Sequence, residues 1–79
     1  MQVENPSPNV TYVYMQDAAR TVILFSYGTP VAYRSLNGAA KTAKRWSNTT
    51  SRHVAAFFKM YAGPVETIGQ DEMDAKVQS

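Results

Sequence analysis

Three strand-like runs joined by short breaks constrain this chain more than any other feature. "NVTYVYM" (residues 9–15) alternates, with Val10, Tyr12 and Tyr14 on one side and Val13 and Met15 on the other. Period two in β-branched and aromatic residues marks a half-buried strand. "QDAAR" is a polar turn, and "TVILFSY" (21–27) follows without alternation. A strand apolar on both sides is covered on both faces, so it reads as the central one. "GTP" bends the chain, and "VAYRSL" (31–36) resumes strand character. Connections this short join antiparallel neighbours. Asn37-Gly38 is the strongest short hairpin signal, since both residues tolerate positive φ. On that signal the weakly strand-like "AAKTA" (39–43) reads as a short fourth strand.

Period 3.6 appears once. Val54, Phe57, Phe58 and Tyr61 fall at i, i+3, i+4 and i+7 and make one apolar stripe. Ala55 and Ala56 favour a helix, and Gly63-Pro64 ends it. The predicted helix spans 49–62, with Lys59 near its C-terminal turn complementing the macrodipole. Residues 1–8, with Pro6 and Pro8, read as a flexible arm. "VETI" (65–68) could add a short last strand, and the acidic residues 69–79 read as a short helix or a mobile tail. The expected fold is therefore α+β: a small antiparallel sheet of three to four strands, one C-terminal helix packed on it, and flexible termini. The single domain spans 9–68. Its expected core is Val13, Val22, Leu24, Phe25, Val31, Val54, Phe57, Phe58 and Tyr61.

At 79 residues one domain is the limit. A chain of this size buries only about 60% of its unfolded surface. It has no cysteine, so disulfides and thiolate metal sites are excluded as stabilising devices, and its one histidine cannot build a zinc site alone. Self-association, as in a homodimer, is the device that remains. The start lacks a basic patch followed by an apolar stretch, and the longest strongly apolar run is "VILF". These features predict a cytoplasmic protein without membrane contact. His53 is the only available histidine base, and nothing in the sequence orients it on a nucleophile. The carboxylates of Glu66, Asp71, Glu72 and Asp74 sit late in the chain, and the four glycines are too scattered for a phosphate loop. The expectation is a non-enzymatic protein with no cofactor and no metal.

Charge is uneven. Arg34, Lys41, Lys44, Arg45, Arg52 and Lys59 occur with no acidic residue between them. Within this stretch "KRWSNTTSRHVAAFF" (44–58) places cations, the only Trp and five small polar residues at the predicted helix start. One of Ser47, Asn48, Thr49, Thr50 and Ser51 suffices as an N-cap, so the run exceeds that need. Free helical N–H groups beside cations suit an anion or an acidic partner. Trp46 can close the core or anchor an interface. Candidate partner- or anion-binding residues are Lys44, Arg45, Trp46, Thr49, Thr50, Arg52 and His53. Helix capping and a solvated face explain the same residues without a ligand. A nucleic-acid reading would use Lys41, Lys44, Arg45, Trp46 and Arg52.

"SYGTPVAYR" (26–34), followed by Trp46-Ser47 and Thr49-Thr50-Ser51-Arg52-His53, resembles a family of short uncharacterised proteins of tailed bacteriophages and their bacterial hosts. "SLNGAAKTA" departs from the more strand-like run of that pattern. The resemblance implies no catalytic role. It implies a small phage accessory factor that binds and modulates, and in particular inhibits, a host protein in the host cytoplasm. Alternatives are a small nucleic-acid-binding protein and a protein that sequesters an anionic ligand.

Overall fold

The computed structural model describes residues 2–44, 47–59 and 61–78. Among them lie six strands and two helices: β1 (Gln2–Ser7), β2 (Val10–Tyr14), β3 (Val22–Ser26), β4 (Thr29–Ser35), β5 (Gly38–Thr42), α1 (Asn48–Phe57), β6 (Val65–Ile68) and α2 (Gln70–Gln78). The strands form one sheet in chain order. Every neighbouring pair from β1 to β5 is antiparallel, and β5 and β6 are parallel. Parallel neighbours need a crossover connection, and α1 supplies it.

Cross-strand partners share a face. Glu4, Tyr12, Leu24, Ala32 and Lys41 form one row, and Val3, Val13, Ile23, Tyr33 and Ala40 form the adjacent row on the opposite face. α1 covers the first face: Phe57 meets Val10, Leu24, Val31 and Ala32, flanked by Tyr12, Val22, Val54 and Phe58. α2 covers the second face, where Met73 meets Ala40 and Ile68 beside Tyr33. Two small cores therefore lie on either side of one sheet. Register shifts between Leu24 and Phe25, because Ala32 faces Leu24 while Pro30 faces Phe25. Val31 is the extra residue of this bulge, and both Val31 and Ala32 are buried.

The expected fold needs correction. The sheet has six strands and is mixed, and there are two helices on two faces where one was expected. The termini are structured: residues expected to form an arm pair with β2, and those expected to form a tail become α2. Pro6 is tolerated because β1 is an edge strand, exposed along its whole length. α1 ends at Phe57, one turn before the predicted end, so Lys59 lies beyond the helix. Arg34 serves that end instead. Its Nη1 donates to the carbonyl of Phe57, and its guanidinium lies 4.5 Å over the Phe57 ring. Of the expected core, Leu24, Val31 and Phe57 are buried, and Val22, Val54 and Phe58 pack against them. Val13, Phe25 and Tyr61 are only half-buried.

Candidate functional site

One end of the sheet gathers most of the polar chemistry. It holds the β3–β4 hairpin, the end of β5, the start of α1 and the start of α2. The hairpin turn is Tyr27-Gly28, with Ser26 paired to Thr29. Both turn residues have positive φ, 54° and 79°. That is the twist a two-residue hairpin favours, and glycine adopts it freely, whereas tyrosine does so at a cost. The turn leaves Tyr27 58% exposed.

Ser47 is the N-cap of α1, and its Oγ accepts from the Thr50 backbone N–H at 3.1 Å. The Ser47 hydroxyl lies 3.3 Å from Thr50 Oγ1, Thr50 Oγ1 lies 3.1 Å from Ser26 Oγ, and Ser26 Oγ lies 2.9 Å from His53 Nδ1. Ser26 and Thr50 are buried, at 3% and 5% exposure. A buried hydroxyl must find partners, and here two strand and helix hydroxyls satisfy each other. Tyr27 faces the His53 ring at 6.1 Å between centroids.

Beside this line runs a groove between β5 and α1, bordered by Lys41, Lys44, Thr50, Ser51 and Thr67. A second groove, bordered by Lys44, Gln70, Asp71 and Asp74, opens on the α2 side. Gln70 ties this region together. Its side chain accepts from Thr42 Oγ1 at 2.7 Å and donates to the carbonyl of Pro30 at 2.8 Å and to Asp74 Oδ1 at 2.9 Å. Lys44 thus lies between a basic, hydroxyl-lined groove and an acidic one.

Of the residues singled out from sequence, Lys44, Thr49 and Arg52 are exposed, His53 is half-buried and Thr50 is buried. Lys44 and Thr50 border one groove, and Thr50 and His53 meet through Ser26. Arg45 and Trp46 lie outside the described residues. The candidate residues named from sequence did not include Ser26 or Tyr27, and Asp71 and Asp74 fell in the segment expected to be a short helix or a mobile tail. A serine inside the apolar run "VILFS" was the available signal, because a buried hydroxyl demands a partner. Among the described residues no group of three or more His, Asp or Glu side chains could hold a metal. No helix among them is long and apolar enough to cross a membrane.

A small mixed sheet with a helix on each face and a polar, charge-segregated end defines a small domain of mixed α and β content. The chain belongs to a family of unknown function, DUF8033, whose family model matches residues 1–75. No curated protein and no solved structure matches it.

Proposed function

We propose that this is a non-enzymatic binding protein that docks a protein partner at the end of the sheet built by the β3–β4 hairpin, β5 and the two helix starts. The observation carrying this reading is the opposition of charge there, with Lys41 and Lys44 on one flank and Asp71 and Asp74 on the other. A nucleic-acid backbone presents negative charge only, so the carboxylates would repel it. A protein surface can present both signs, and complementary charge sets its register. Exposed Tyr27 adds an aromatic contact at the same end. Following the resemblance of "SYGTPVAYR" and the helix start to tailed-phage proteins, the partner is a host protein that this accessory factor inhibits in the host cytoplasm.

A pull-down from bacterial lysate, with and without nuclease, tests this reading. The expected result is a stoichiometric protein partner retained after nuclease and lost with Lys41→Glu/Lys44→Glu. Loss on nuclease treatment favours the nucleic-acid alternative, and recovery of no partner sinks the proposal.

A further inference from the structure

The turn between β4 and β5 lies at the end of the sheet opposite the β3–β4 hairpin. It consists of Leu36 and Asn37, with Ser35 paired to Gly38. Leu36 is 72% exposed, and Asn37 is exposed beside it. Among the described residues the Asn37 side-chain amide makes no hydrogen bond. The main chain around it is held. Ser35 Oγ accepts from the Asn37 N–H at 3.1 Å and donates to the Gly38 carbonyl at 3.0 Å. The Leu36 N–H donates to the Ala19 carbonyl at 2.8 Å. Next to the Asn37 amide in the chain stands the main-chain nitrogen of Gly38. That residue has no Cβ to hinder approach, and the space a Cβ would take is open.

We propose that Asn37 is a site of spontaneous modification, deamidation through a cyclic imide, with Ser35 setting its rate. The Gly38 nitrogen loses its proton to base in the solvent and attacks Asn37 Cγ. A Cγ–N bond forms, the Cγ–Nδ2 bond breaks, and the side-chain nitrogen takes up a proton and leaves as ammonia. No electrons are gained or lost. Water then opens the imide. Addition at Cγ restores the main chain and leaves aspartate. Addition at the main-chain carbonyl carbon leaves isoaspartate, whose main chain runs through the former side chain and is longer by a methylene. Either product replaces a neutral amide by a carboxylate. Ring closure requires the peptide unit between Asn37 and Gly38 to turn towards the side chain. The two bonds to Ser35 Oγ flank that unit and resist the turn, so Ser35 is a positioning residue that slows the reaction.

The other asparagines, Asn5, Asn9 and Asn48, lack this combination. Asn5 precedes Pro6, whose nitrogen has no proton to lose, and its Oδ1 accepts from the Thr11 hydroxyl at 2.8 Å. Asn9 and Asn48 precede Val10 and Thr49, whose branched Cβ atoms crowd the attack. Val10 is buried, and Thr49 lies in the first turn of α1. The consequence of modification is local to β4 and β5. Isoaspartate lengthens a turn of two residues between paired strands, so Ser35 can no longer hold both ends of it, and β5 loses its fixed start against β4. The inference rests on this turn alone and stands whether or not the partner reading holds.

Incubation of the full chain in mildly alkaline buffer tests it, read by peptide mapping in a mass spectrometer and by labelling with an isoaspartyl methyltransferase. The expected result is conversion at Asn37 ahead of every other asparagine, with isoaspartate among the products. Ser35→Ala converts several-fold faster, and Ser35→Thr, which keeps the hydroxyl, returns to the native rate. Three results overturn the proposal. One is a native Asn37 left intact over the time in which the same chain unfolded in urea converts there. Another is conversion at Asn9 or Asn48 as fast as at Asn37. The last is a Ser35→Ala chain that converts no faster than the native one. Should Ser35→Ala not fold, the first two comparisons, made on the native chain, decide.

Discussion

At the scale of single residues, backbone conformation and short polar contacts carry most of the information. Gly28 has φ +79° and open space around the position a Cβ would occupy. Gly28→Ala therefore meets no neighbour, and any loss comes from the left-handed backbone alone. We expect a loss of about 1 kcal/mol by urea unfolding. An unchanged midpoint would show that the turn relaxes at no cost. Asp17 accepts from the Thr21 N–H at 2.9 Å and the Thr21 hydroxyl at 2.8 Å. These bonds hold its carboxyl below the ordinary value of 3.8, with the backbone bond the larger cause. A depressed folded value contributes stability at pH above the unfolded value, and this is lost as pH falls through the folded one. Asp17→Asn should accordingly flatten the acid limb of a stability–pH curve and leave the alkaline limb unmoved.

At the scale of elements, caps and faces decide. Ser47→Ala removes the acceptor of the Thr50 N–H and should cost about 1 kcal/mol. α2 offers a sharper test. Met73 is fully buried against Ala40 and Ile68, so Met73→Ala should lower stability by about 2–4 kcal/mol in urea. A value near zero would return the segment to the mobile tail that its acidic composition suggests. This helix also shows where sequence reading stops. β2, β3 and β4 were legible because Val10–Tyr14 alternates and "VILF" is apolar throughout, and Phe57 was legible through its stripe. α2 was not, because Met73 and Val77 are its only large apolar residues among Asp, Glu, Gln, Lys and Ala, and one i, i+4 pair is too little to establish a period. β1 was hidden by Pro6, which an exposed edge accepts. The candidate site was half legible. "SNTTS" announced the cap, but the partner of Thr50 lies 24 residues away in β3, and only the tertiary fold joins them.

For the whole molecule, one sheet serves two cores, and its strands come in chain order until the last. β1 to β5 are successive hairpins, so each new strand finds its partner next to it in sequence. β6 is different: it must wait for the residues between Thr42 and Val65 before it can reach β5. Local contacts form faster than those across a long loop. During synthesis the first five strands can therefore assemble while β5 still offers an unpaired edge. That edge carries Ala39 and Ala40, small and without charge, and Lys41 is its one charged residue. A chain cut short before Val65 should associate through β5, visible as early elution in size-exclusion chromatography. The parallel strand is in this sense a late cover for β5, and synthesis through Val65–Ile68 governs whether β5 leaves the ribosome paired or as a template for another chain.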